Sequence, residues 1–387
     1  VTSETKRHAT GLILLLAGAH FLHDVFTAFL APLLPLLIDK LGLSLFQAST
    51  LPVLTQIPSL FNPFLGSFVD RSRLHRLFVA LGPAGSGTMM SLMGLAPSYT
   101  VLAVILLTAG VSVACLHVSA PVLIHQAAKE RVGRGMSLFM VAGELARTLG
   151  PLIAVQLVSH YGLEGLPRVI PVALGSSVIL WFRLSNLELD RPDKPPLHVF
   201  AVWSRMRRVL LAVTGILVTR AFLAGALTTF LPTYLYGEGQ GLWRANVSLS
   251  ILELFGAVGA FASGTLSDKL GRRRILALSI ALSPVLMFVF LGTSGPLQMV
   301  ALALLGLTML STAPVIMAVV LENAGDNPAA ANGTYFMINF AVRALILLLV
   351  GAFADRYGLR MTYYGCATLA VLGLPAVLLL PKSRARL

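Results

Sequence analysis

The chain is predicted to be an all-α membrane protein of twelve transmembrane helices arranged as two six-helix bundles. Three observations carry this expectation. Of its 387 residues, 56% are hydrophobic and only 12% charged, against roughly 25% charged in an average soluble domain. The apolar residues come in runs long enough for a spanning helix, which needs ~20 of them. The basic residues cluster in short segments between those runs, as topology selection in a bilayer leaves them.

Twelve spans are expected, at 10–38, 44–69, 75–95, 99–128, 132–160, 165–185, 208–236, 243–268, 274–293, 296–321, 329–353 and 360–381. The runs exceed the ~9–11 residues of a barrel strand, so helices are the fitting element. The run from Gly11 to Ile38 is far longer than the ~7–15-residue core of a signal peptide and is read as the first span. Prolines within spans, among them Pro32, Pro58, Pro151 and Pro232, suit helices that bend, and suit a static bundle equally.

With an inside N-terminus, 21 of the 29 Lys and Arg fall in inside segments and 5 in outside segments; Arg147, Arg220 and Arg343 lie within spans. That bias places both termini in the cytoplasm, in a bacterial inner membrane. The formal net charge of +13 is thereby explained without nucleic acid. Cys115 and Cys366 both sit in apolar runs, as small apolar filler rather than ligands or a disulfide. The polar stretch 186–207, with Asp190, Arg191, Asp193 and Lys194, forms a cytoplasmic linker between a bundle of 1–185 and one of 208–387.

The halves share an internal repeat. GSFVDRSRLHR runs from Gly66 to Arg76 and GTLSDKLGRRR from Gly264 to Arg274. Gly66 and Gly264, like Asp70 and Asp268, are 198 positions apart. A third echo, GAFADRYGLR, starts at Gly351. Small residues let helices approach closely, and the basic residues anchor each loop at the headgroups.

The pattern G-x-x-x-D-[RK]-x-G-[RK]-[RK] resembles the signature loop of the major facilitator superfamily. Gly264, Asp268, Lys269, Gly271, Arg272 and Arg273 match it; the first copy has Arg73, Leu74 and His75 where Gly and basic residues are usual. The resemblance implies bundles that rock about a central cavity, with Gly66, Asp70, Arg71, Gly264, Asp268, Lys269, Gly271 and Arg272 as a conformational latch. His20 to Leu37, His117, Gly133-Arg134-Gly135 and Leu149-Gly150-Pro151 are similar to fosmidomycin-resistance-type drug exporters, although Val118 and Ser119 follow His117 where those carry Pro and Glu. Gly150-Pro151 also resembles the antiporter motif, with Ala146, Ala154 and Val155 at its usual flanking glycines.

Charges at membrane depth cost at least ~2.5–3.5 kcal/mol each on insertion scales, so each invites a functional reading. His20 and Asp24, four apart, share a helix face; an Asp in a low-dielectric pocket can carry a proton near neutrality. The rival is a buried pair that fixes packing. Glu144 and Arg147, three apart, can pair, and an anion drawing Arg147 away would free Glu144 to take a proton. These readings make Asp24, His20 and Glu144 candidates for proton coupling. Arg220 and Arg343 have no acid at helical spacing, and a guanidinium suits carboxylate, phosphate or phosphonate. With Arg147, Glu253, His117 and Asn339 they form the candidate substrate contacts. His117 and His125 lie eight apart with no third ligand at sensible spacing, so no metal is expected, and His23 is read as structural.

The expected function is proton-coupled export of a small anionic or amphiphilic compound by a monomer without cofactor, partnered by substrate, protons and lipid. The alternative is an uptake symporter or exchanger for organic anions or phosphates, and a channel is a weaker one. No HExxH, GxSxG or Walker-type loop supports an enzyme or ATP drive.

Overall fold

The structure, a computed structural model, describes residues 3–128, 132–185, 199–324 and 328–380. Fifteen α-helices stand among them: α1 Ser3–Thr27, α2 Leu30–Leu41, α3 Leu45–Gln56, α4 Asn62–Ser72, α5 His75–Leu92, α6 Tyr99–Ala128, α7 Val132–Tyr161, α8 Ile170–Leu184, α9 Val199–Gly237, α10 Leu242–Leu270, α11 Arg272–Gly292, α12 Gly295–Met309, α13 Thr312–Glu322, α14 Pro328–Ala370 and α15 Gly373–Leu379. No strand occurs among the described residues. Of the expected linker, 186–198 lies outside the described residues, while 199–207 opens α9.

Ten stretches among the described residues are long and apolar enough to cross a bilayer. They differ from the twelve expected spans at two places. The second span is broken into α3, a 3₁₀ turn over Ile57–Phe61 and α4. Pro58 and Pro63 stand at the starts of the last two pieces, where a proline's missing N–H costs least. The last two expected spans form one stretch, Ala331–Leu379. It breaks at Gly358, whose φ of 75° departs from the helix without ending it in sequence.

The chain divides into two compact units: Val1–Gly42 with Leu51–Pro196, and Leu43–Thr50 with Leu197–Leu387. The short segment 43–50 groups with the second unit for a local reason. The backbone N–H groups of Leu45 and Phe46, at the start of α3, donate to the Asp355 carboxylate at 2.6 and 3.0 Å. A carboxylate there meets the unsatisfied N–H groups and the positive end of the helix dipole.

In the first unit α1 packs on α5, α6 and α7. Leu16, Val79, Leu116, Leu123, Phe139 and Leu180 form its core. In the second, α9 packs on α14 and α10 on α12. Its core gathers Leu210, Val213, Ile216, Leu276, Ile316 and Val377. Large apolar side chains also cover the outside: Phe261 is 84% and Phe182 70% exposed. Such a surface is stable against lipid and sticky in water.

Candidate functional site

Two polar sites emerge, one in each unit. In the first, α1 supplies His20 and Asp24, one helical turn apart and both buried. His20 Nε2 lies 3.2 Å from Asp24 Oδ2. α6 brings His117, whose Nε2 is 3.3 Å from His20 Nε2 and 3.8 Å from Asp24 Oδ1. The Nδ1 of each ring faces a main-chain oxygen, His20 that of Phe139 at 2.8 Å and His117 that of Val113 at 2.9 Å. Asp24 therefore lies among imidazoles rather than in the plain low-dielectric pocket its sequence surroundings suggest.

His23, read as structural, is buried beside this group. Its ring meets the His117 ring at 5.7 Å, and its Nδ1 contacts Ser86 Oγ at 2.8 Å and the Gly82 oxygen at 3.3 Å. Sequence reasoning missed Gly143 on α7. A β-carbon there would stand 2.7 Å from His20 Cε1 and 3.2 Å from Asp24 Oδ2. Hydrogen at this position lets α7 close over the cluster.

Glu144 follows directly, and the expected ion pair with Arg147 is present. Their side chains are 29% and 46% exposed. Met140, Glu144 and Arg147 lie on one stripe of α7 by their spacing of four and three; Val141 and Leu145 lie on another. Beyond Met140 the first stripe is polar and the other is apolar, while Gly143 and Ala146 face inward.

In the second unit, Arg220 on α9 donates through Nε to Thr312 Oγ1 at 2.7 Å. No carboxylate pairs with it at ion-pair distance among the described residues. Arg220 lines a small cleft with Thr219, Ser279, Ser283, Met309 and Thr312. Arg343 on α14 donates to Thr228 Oγ1 at 3.2 Å, one turn after Asn339. Glu253 is buried on α10. His125 on α6 takes no part in either site.

The expected latch is built differently in its two copies. Arg71 lies in the last turn of α4 and Arg73 caps it with φ 57°, the left-handed conformation a glycine usually supplies. The Asp70 side chain lies outside the described residues. A β-carbon at Gly66 would meet Val118 at an ordinary 3.5 Å, and Gly264 faces open space. In the second copy Gly271 takes φ 94°. Arg272 reaches Asp268 at 2.5 Å and Glu322 at 2.9 Å, and also donates to Ser267 Oγ. Lys269 stands in the last turn of α10.

The helical bundle, its apolar exterior and its buried polar clusters define a multi-pass membrane transporter. The family model of the Major Facilitator Superfamily matches residues 16–347 and 245–386, and the chain belongs to that family. It is 24% identical to the fosmidomycin resistance protein of Escherichia coli, over 99% of this chain and 96% of that protein. It is 25% identical to YfnC, an uncharacterised MFS-type transporter of Bacillus subtilis, over 95% and 92% of the two. A bacterial homologue of the human lysosomal transporter Spinster superposes with a TM-score of 0.81 at 14% identity, covering 96% of each chain. Members of this family move small molecules and are not enzymes.

Proposed function

We propose that this chain is a proton-coupled exporter that exchanges protons for a small anionic or amphiphilic compound by alternating access. It would work as a monomer in a bacterial inner membrane, with both termini cytoplasmic. The basic-residue bias of 21 inside to 5 outside supports that orientation. Likeness to a protein named for drug resistance supports export.

The observation that carries the reading is the Glu144–Arg147 pair on the polar stripe of α7. Partly exposed, the pair is held loosely enough to open. Exchange requires that the pair open to one ligand at a time: an anion takes Arg147 in one half of the cycle, a proton takes Glu144 in the other, and Arg147 returns to the ionised Glu144 between them. Anion and proton bound together would travel the same way, which is the symport alternative. Arg220 and Arg343, held by threonine hydroxyls, offer further guanidinium contacts to an anion. Gly66, Arg71, Gly264, Asp268, Lys269, Gly271 and Arg272 would serve the conformational latch.

The test is flux through purified protein in liposomes under an imposed pH gradient. Substrate should move against the proton flow. Glu144→Gln should lose the response to the gradient while still catalysing exchange, and Arg147→Ala should weaken anions more than neutral analogues. Substrate moving with the protons would make the chain a symporter. Flux indifferent to the gradient would overturn proton coupling.

A further inference from the structure

We propose that His20, Asp24 and His117 form a binding site for a divalent transition-metal ion of the zinc class. A main-chain carbonyl only accepts, so the Nδ1 atoms facing Phe139 and Val113 must carry hydrogen. In a neutral imidazole the other nitrogen then holds a lone pair. The two Nε2 lone pairs face each other at 3.3 Å, with Asp24 Oδ2 3.2 Å from one and Oδ1 3.8 Å from the other. Three acceptors without a hydrogen between them repel at such distances. A cation placed among them converts the repulsion into binding.

Spacing and surroundings point to a metal. A tetrahedron with bonds of ~2.0 Å has edges of about 3.3 Å, close to two of the measured separations. One donor atom from each residue lies within 4.8 Å of the others. Both rings have the outer hydrogen bond that metal-binding histidines make through their second nitrogen, which fixes tautomer and orientation in advance. His20 and Asp24 are 5% and 8% exposed through their side chains, whereas His117 is 37% exposed. The cluster therefore has a closed floor and one open side, where a water or an anionic ligand can complete the coordination.

His23 supplies a separate observation. It is fully buried, its Nδ1 also lies near a main-chain oxygen, that of Gly82, and its Nε2 has no hydrogen-bond partner among the described residues. A polar atom left so at the edge of the cluster fits a site whose ligand completes it. Two imidazole nitrogens and a carboxylate suit zinc, cobalt or nickel; calcium and magnesium want a shell of oxygen.

The test needs no transport. Purified protein in detergent, with any affinity tag removed, is titrated with Co²⁺ and followed by visible absorption, then challenged with Zn²⁺. One equivalent of Co²⁺ should develop the intense d–d bands of a four-coordinate site, and Zn²⁺ should bleach them. His20→Ala, Asp24→Asn and His117→Ala should each weaken binding about tenfold or more, with unchanged elution and melting. His117→Cys should keep the metal and add a thiolate charge-transfer band, a readout that a misfolded variant cannot produce. Bands absent from the parent protein, or persisting in all three deletions, would overturn the site. The first outcome would assign the gap to a shared proton, and neither bears on flux at Glu144.

Discussion

Gly143 and His20 meet so closely that a β-carbon on Gly143 would stand 2.7 Å from the His20 ring. This contact sets the place of the imidazole, because the same ring lies flat against Phe139 one turn earlier on α7 at 3.8 Å. Gly143→Ala should therefore displace His20 from Asp24 and His117. In general a helical Gly→Ala change gains up to about 1 kcal/mol of helix propensity, so helix formation is not the casualty. Co²⁺ affinity should fall about tenfold or more, as for loss of an orienting partner. Gly175 on α8 has open space around it, and Gly175→Ala should leave the affinity unchanged. Equal behaviour of the two variants would show that α7 does not hold the ring.

Glu144 and Arg147 pair with both side chains partly exposed. Such pairs are worth about 0.2–1 kcal/mol, far less than buried ones. A double-mutant cycle with Glu144→Gln and Arg147→Gln, read by thermal unfolding in detergent, should give a coupling energy within that range. A coupling of several kcal/mol would mark the pair as a structural lock and remove the exchange step proposed for it.

The bundle was legible in the sequence because bilayer thickness dictates run length, and the runs are long. It was less legible at the second span, where Pro58 and Pro63 split one apolar run into three helical pieces; the break at Gly358, by contrast, falls in the expected gap between the last two spans, among Asp355, Arg356 and Arg360. Of the candidate sites, the His20–Asp24 and Glu144–Arg147 pairs follow from helical spacing alone. His117 could not be joined to them that way, since it lies 97 residues from His20 and arrives by packing. Along its own helix His117 has only His125, eight residues away, and His125 takes no part in the cluster. Thr312, the partner of Arg220, is likewise 92 residues distant. Gly143 was invisible for the opposite reason, that its contribution is the side chain it lacks.

Thr312 accepts the Arg220 Nε–H at 2.7 Å and itself donates to the Met309 oxygen at 2.9 Å. Thr312→Val keeps the shape but removes the acceptor. Leaving a charged donor unmatched costs about 1–3 kcal/mol, and Arg220 would lose its fixed orientation. Thr312→Val should lower the affinity for an anionic substrate, whereas Thr312→Ser should restore most of it. Binding measured by calorimetry separates the two. Indifference to both substitutions would show that Arg220 needs no positioning by this hydroxyl.

Arg73 and Gly271 are counterparts in the repeated loop, and both have positive φ, 57° and 94°. A side chain in the left-handed region costs about 1–2 kcal/mol, which glycine avoids. The Arg73 N–H nevertheless closes α4 by donating to the Val69 oxygen, a bond that any residue could make. Arg73→Gly should therefore raise the melting temperature slightly, and Arg73→Val should lower it, because a β-branched side chain is the worst fit to this conformation. At Gly271 the expected sign is reversed: Gly271→Ala should destabilise. The same substitution would strain the cap beside Arg272, whose pairs with Asp268 and Glu322 tie α10 and α11 to the end of α13. Thermal unfolding of the three variants checks all the signs at once. An Arg73→Gly variant less stable than its parent would mean that the arginine side chain makes a contact worth more than the strain it imposes.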